Sequence, residues 1–175
     1  MNIAVVVLAA GEGRRFGGAK QLLTLPSVLD RVSSAAIGEI VVVEGAHRLD
    51  AVALPPEARI VRCGAWADGP GASLRAGLAA LAADVAAAVV VLADGPDLEP
   101  ETVRRVVASW QREGGDVVAA SYDGVRGHPL LVAHAVWEAV PLDGLRGLAV
   151  RLVPCDDLGA PGDVDWPDDL PPRLP

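Results

Sequence analysis

The chain has 175 residues, 51% hydrophobic but only 3% aromatic, and a formal net charge of −8. That length suits a single domain, 1–175, with a core of alanine, valine and leucine, and the acidic balance excludes general nucleic-acid binding, which needs a basic face. The longest apolar run, Val85 to Ala93, falls far short of the roughly 20 residues of a membrane span; with no cationic leader at the start, a cytoplasmic protein without membrane contact is expected.

The first expected element is a buried parallel strand, Ile3 to Leu8. It runs into Leu8-Ala9-Ala10-Gly11-Glu12-Gly13-Arg14-Arg15-Phe16-Gly17-Gly18-Ala19-Lys20, where four glycines and three cations share one loop. Pro26 then interrupts, and Ser27 is positioned to cap a short helix to about Ala36. Glu39 to Val43 reads as a strand, Ala46 to Ala53 as a short helix, and Ala58 to Arg62 as a third strand. A glycine-bearing loop from Gly64 to Gly71 opens a helix over Ala72 to Ala83. Val85 to Leu92, the most apolar strand, is expected at the centre. Pro100 begins a helix to about Arg112. Asp116 to Ser121 is extended and Asp123-Gly124 turns. Leu130 to Val132 is extended, Ala133 to Val140 reads as a helix and Arg151 to Val153 as a last strand, with Pro171 to Pro175 a frayed tail. Strands alternating with helices give an α/β sheet covered on both faces. Ligands of such sheets lie beyond the carboxyl ends of the strands, so the loops after Leu8, Arg62 and Leu92 are expected to share one cleft.

The opening loop is a phosphate-binding candidate, because glycines free backbone N–H groups and the cations supply opposite charge. Gly11, Gly13 and Gly17 are spaced one residue too widely for a dinucleotide fingerprint, although Glu44 ends the second strand where a ribose partner would sit. No Gly-Lys-Ser/Thr closes a Walker loop. Arg14, Arg15 and Lys20 together favour a triphosphate. Asp94, at the carboxyl end of the central strand, is a candidate ligand for Mg²⁺. Asp97 fits better as a cap for the helix at Pro100. In Asp163-Val164-Asp165, alternation puts both carboxylates on one side, and a carboxylate from this segment could close with the distant Asp94 around one cation. Ser73 is equally a helix cap or a ligand contact, and a base or ribose lying over Gly71 would explain its small size. His128 is either packed structure or a polar contact. Cys63 and Cys155 fit no metal-ligand spacing and are expected as reduced thiols.

These residues resemble a known family. Leu8 to Lys20 matches the L-A-A-G-x-G-x-R-x-G-x-x-K signature of nucleotidyltransferases, and the wider chain is similar to the molybdenum cofactor cytidylyltransferase branch of the molybdopterin nucleotidyltransferases. Gly71-Ala72-Ser73-Leu74-Arg75-Ala76-Gly77, Leu92-Ala93-Asp94-Gly95-Pro96, Gly124 to Pro129 and Asp163 to Leu170 carry the resemblance across the chain. It implies a three-layer, Rossmann-like (GT-A-like) α/β fold with a mostly parallel central sheet and one antiparallel strand. It implies transfer of a nucleoside monophosphate, CMP favoured over GMP, from a triphosphate to a phosphorylated acceptor such as molybdopterin. Arg15, Lys20 and Asp94 take the catalytic places. Leu8, Ala9, Ala10, Gly11, Gly13, Arg14, Arg15, Lys20, Gly71 and Ser73 take the nucleotide. Asp94 and Asp165 hold Mg²⁺, and Arg126, Gly127 and His128 lie on the acceptor side. A molybdoenzyme or its maturation factor is the implied partner, and the chain is expected as a monomer or weak dimer. The departures are a shortened Thr24-Leu25-Pro26-Ser27 insert, an abbreviated Leu142 to Gly147 element, Gly95, and Trp166 in place of a threonine. A sugar-phosphate nucleotidyltransferase, a non-catalytic nucleotide-binding or partner-binding relative and an NAD(P)-dependent oxidoreductase are the alternatives.

Overall fold

The computed structural model describes residues 1–174; of the expected frayed tail, Pro175 lies outside the described residues. Seven strands form one sheet: β1 (Asn2–Ala9), β2 (Ile40–Glu44), β3 (Ala58–Arg62), β4 (Val85–Leu92), β5 (Val117–Tyr122), β6 (Val125–Ala133) and β7 (Arg151–Pro154), in the order β3-β2-β1-β4-β6-β5-β7. All neighbours pair parallel except at β6, which runs antiparallel to β4 and β5. This is the mostly parallel α/β sheet with one antiparallel strand that the resemblance implied.

Three helices cover the sheet: α1 (Gln21–Ala35), α2 (Pro70–Ala79) and α3 (Pro100–Glu113). The alternation of β1 decides the layers, since successive side chains leave a strand on opposite faces. Ile3, Val5, Val7 and Ala9 pack with Leu25, Leu29 and Val32 of α1 and Val103, Val106 and Trp110 of α3. Ala4 and Val6 pack on the other face with Leu74 and Leu78 of α2. Both faces of the central strands are buried, which is why their sequences are unbroken apolar runs rather than alternating ones. Among the described residues no helix is long and apolar enough to cross a membrane.

Several expected elements change. Helix α1 starts at Gln21 and continues through Pro26; that proline faces solvent, where water can satisfy the carbonyl its ring leaves unbonded. Ser27 is therefore no cap, and its hydroxyl instead donates to the Pro96 carbonyl at 3.1 Å. Ala46 to Ala53 forms turns, and the expected helix after Ala133 reduces to a single 3-10 turn, His134–Val136. Both segments bury apolar side chains, Leu49 and Val52 in one and Val140 in the other, but a stretch of about eight residues is too short to repay the cost of helix nucleation. Helix α2 begins at Pro70 and ends at Ala79, earlier than expected at both ends. Strand β6 extends back through Arg126 to His128. Cys63 and Cys155 are free thiols, as expected, and both are buried.

Leu25 is fully buried between α1 and the sheet. Leu25→Ala should lower unfolding stability by about 2–5 kcal/mol, read as a reduced midpoint in urea with an unchanged slope.

Candidate functional site

Strands β1 to β4 all run the same way, so their carboxyl ends open on one edge of the sheet. The loops after β1, β3 and β4 meet there around a cleft of about 550 Å³, as expected from the strand order. Leu8 pairs in register with Leu92, which brings the ends of β1 and β4 side by side.

The opening loop folds back on itself. The N–H groups of Gly17 and Gly18 both donate to the Gly13 carbonyl, at 2.9 and 3.2 Å, and Lys20 N–H donates to Gly18 at 2.9 Å. Gly13 has φ +67°, and a Cβ there would overlap the Gly18 carbonyl, so only glycine closes this turn. The near limb is pinned by the Gln21 amide, which donates to the Gly11 carbonyl at 2.7 Å. These bonds deliver Lys20, 8% exposed, to the floor of the cleft.

There the Lys20 ammonium contacts Asp94 at 2.8 Å, Asp165 at 3.5 Å and the Val164 carbonyl at 2.6 Å. Arg15 pairs with the other oxygen of Asp165. Burial pulls the Lys20 pKa down, but the hydrogen bond to Asp94 and the charges of Asp94, Asp163 and Asp165 outweigh it and hold the ammonium above its ordinary value. The hydrogen bond from Arg15 holds Asp165 below the usual carboxylate range, against a smaller burial effect. Two further bonds bring the carboxylates together. Val164 N–H donates to the Asp94 carbonyl at 3.0 Å, and the Asp169 carboxylate accepts from the N–H groups of Asp165 and Trp166 at 3.0 and 2.7 Å.

Asp94 and Asp165 thus aim oxygens at one cationic point on the cleft floor. No cluster of three or more potential ligands occurs among the described residues. A pair of carboxylates open to solvent still fits Mg²⁺, which takes one or two carboxylates and completes its shell with water and phosphate oxygens. Asp163 does not join them; it lines a separate cavity with Gly95, Tyr122 and His128. Burial, then the charges of Asp94 and Asp165, raise its pKa.

Of the other expected residues, Leu8, Ala10, Gly11, Gly13, Arg14, Arg15 and Ser73 line the cleft, with Arg14 on its rim paired to Glu12 at 2.6 Å. The Ala9 side chain does not reach it, because strand alternation sends it into the core beneath α1. Gly71 is corrected too. The Pro141–Leu142 backbone covers it, its N–H donates to the Leu142 carbonyl at 2.9 Å, and a Cβ would collide with the Pro141 carbonyl oxygen. Close packing, rather than a base or ribose lying over it, explains why it is small. Ser73 sits within α2 and Asp97 pairs with Arg173, so neither caps a helix. Glu44 is not free to hold a ribose. It is 1% exposed and accepts from Arg48 at 2.7 Å, Arg62 at 3.3 Å and Leu49 N–H at 2.9 Å.

A second cavity of about 330 Å³ holds Arg126, Gly127 and His128 and shares Leu8, Pro70 and Leu92 with the cleft. Burial pushes the His128 pKa down to about 4; Arg126 adds to the effect and Asp94 opposes it. The imidazole is therefore neutral at pH 7. Five contributors were not singled out from the sequence: Gln21, Trp66, Asp143, Arg146 and Asp169. Asp143 and Arg146 belong to the abbreviated Leu142 to Gly147 element, and Asp169 is an acid three residues after Trp166 with proline between. Gln21 and Trp66 reach the site through tertiary packing alone.

A family model described as the MobA-like NTP transferase domain matches residues 5–150. Rv0371c of Mycobacterium tuberculosis H37Rv is similar over 97% of this chain and 95% of its own, with 27% identity and a TM-score of 0.81. A structure of Rv0371c in complex with manganese covers 97% and 96%, with 28% identity and a TM-score of 0.71. Molybdopterin-guanine dinucleotide biosynthesis protein A of Archaeoglobus fulgidus shares the fold at 22% identity, 95% and 94% coverage and a TM-score of 0.70. No curated protein matches in sequence.

Glu44 offers a separate test of the ribose alternative. Its partners, chiefly Leu49 N–H and Arg48, overcome burial and hold it below its ordinary 4.5. Because the folded value is depressed, its stabilisation is full above pH 4.5 and is lost as pH falls through the lower folded value. Glu44→Gln should lower the melting temperature at pH 7, and this gap should shrink below pH 4.5. Nucleotide affinity should not change.

Proposed function

This chain belongs to the MobA-like NTP transferase family and is a nucleotidyltransferase enzyme; we propose that it transfers CMP from CTP to a phosphate monoester such as the molybdopterin cofactor, with release of pyrophosphate. The observation that carries this reading is the convergence of Asp94 and Asp165 on one cation at the foot of a glycine-rich loop bearing Arg15 and Lys20. Carboxylates for a metal and cations for a polyphosphate stand within one ion-pair network.

The acceptor contributes a phosphate oxygen, already anionic at neutral pH, so the attack needs no general base. That oxygen forms a bond to the α-phosphorus in line as the bridging bond to the β-phosphate breaks, and the electron pair leaves on pyrophosphate. Lys20 and Arg15 neutralise the leaving group, turning from Asp94 and Asp165 to the phosphates. Leu8, Ala10, Gly11, Gly13 and Arg14 receive the nucleotide with Ser73. The Ala10-Gly11 pair leans toward cytidine over guanosine. Arg126, Gly127 and His128 receive the acceptor in the adjoining cavity, so the two substrates meet across Leu8, Pro70 and Leu92. Asp94 and Asp165 would hold Mg²⁺, which supplies positive charge to the α-phosphate. The manganese complex of Rv0371c supports a divalent cation in this fold. A molybdoenzyme or its maturation factor would take the product onward in the cytoplasm.

Pyrophosphate release measured with each of the four triphosphates should be fastest with CTP and require Mg²⁺. Asp94→Ala should reduce it at least about 10³-fold, with an unchanged circular dichroism spectrum; retained turnover removes the assignment. Lys20→Ala should weaken CTP binding more than CMP binding, because it contacts the leaving phosphates. Equal losses for both ligands count against that role.

A further inference from the structure

A guanidinium taken out of water needs a counter-charge or hydrogen-bond acceptors to restore its lost solvation. Nearly every arginine here has one. Arg31, Arg48, Arg59, Arg62, Arg104, Arg105, Arg112 and Arg173 donate to carboxylates, Arg75 to a carbonyl and Arg151 to a serine hydroxyl, while Arg14 and Arg15 pair within the opening-loop site. Among the described residues, Arg126 and Arg146 alone have neither an ion pair nor a hydrogen bond. Both line the same cavity, the one joined to the nucleotide cleft at Leu8, Pro70 and Leu92.

Chance surface placement explains Arg146 alone but not the pair. Arg126 is half-buried, and burial lowers its pKa, the response of a cation desolvated without a partner. The remaining wall is largely apolar, formed by Leu74, Val90, Leu130 and Leu145 beside the neutral ring of His128. One carboxylate, Asp143, shares the wall, and two guanidiniums outweigh it. It leaves the cavity net positive and can accept an N–H or O–H from a ligand. This is a wall for an anion attached to an apolar body. It lacks the array of donors and acceptors that a polyhydroxylated ligand needs, since each hydroxyl buried without a partner costs binding energy.

We propose that Arg126 and Arg146 jointly clamp the phosphate of the acceptor, and that the acceptor is a phosphate monoester with a hydroxyl-poor body rather than a sugar phosphate. The inference rests on the transferase reading of the same site and adds Arg146 as a specificity-determining residue. Clamping fixes the attacking oxygen at the junction of the two cavities, where orientation contributes most to rate.

Calorimetric titration with phenyl phosphate, glucose 1-phosphate and inorganic phosphate tests it, alongside titration with Mg²⁺ and CTP. Phenyl phosphate should bind at least about tenfold more tightly than the other two, about 1.4 kcal/mol. Arg146→Met, a change at an exposed position, should weaken phenyl phosphate binding at least about tenfold, about 1.4 kcal/mol, and leave CTP affinity unaltered. Arg126→Met should do the same, with its melting temperature checked. Unchanged phenyl phosphate affinity in Arg146→Met, or tighter binding of glucose 1-phosphate, overturns the clamp. A wild-type protein that fails to bind CTP with Mg²⁺ overturns the transferase reading instead, and the phenyl phosphate comparison then still decides the clamp.

Discussion

The Lys20 ammonium holds the cleft together. It sits 8% exposed at the end of the opening loop and touches Asp94 from the end of β4 and Asp165 from near the carboxyl end of the chain. Burying a single ammonium is costly, and one carboxylate rarely compensates for the lost hydration. Here two carboxylates and the Val164 carbonyl share the task. The acid-rich 163–165 segment, which by composition belongs to a solvated tail, is thereby drawn against the sheet. The Val164 N–H bond to the Asp94 carbonyl fixes its register.

That network also sets the electrostatic state that a substrate meets. Without ligands, the cations of the opening loop and the acids opposite neutralise each other, so neither set stands as an uncompensated charge.

The pairing of β1 with β4 places the second cavity beside the first. Leu8 and Leu92 are register partners and form the wall common to both. The antiparallel strand β6 lies next to β4 and carries Arg126 to His128 along the far side. Reversal of one strand brings a hairpin's residues to the carboxyl edge of parallel strands. The sequence shows that hairpin only as an Asp123-Gly124 turn, which marks where the chain reverses but not which strand it joins.

Local chemistry made much of this molecule legible. The unbroken apolar runs of β1, β2 and β4, Pro100 at the first turn of α3 and the turn at Gly124 follow from preferences acting over a few residues. The glycines and cations from Gly11 to Lys20 and the acids at Asp94 and Asp165 signalled phosphate and metal chemistry by residue type alone. Other features escaped because distant contacts govern them. Pro26 is tolerated in α1 since it faces water, Ala46 to Ala53 and the stretch after Ala133 pack only a few residues such as Leu49, Val52 and Val140 and are too short to hold a helix, and Gly71 is small because the Pro141–Leu142 backbone lies on it. By itself the sequence determined the alternating strands and helices, the charged glycine loop and the identity of the acids, each encoded by neighbours in the chain. Only tertiary structure decided that Lys20, Asp94 and Asp165 meet at one point and that Arg126 and Arg146 share one wall without an ion pair, because both depend on strand order and long-range packing.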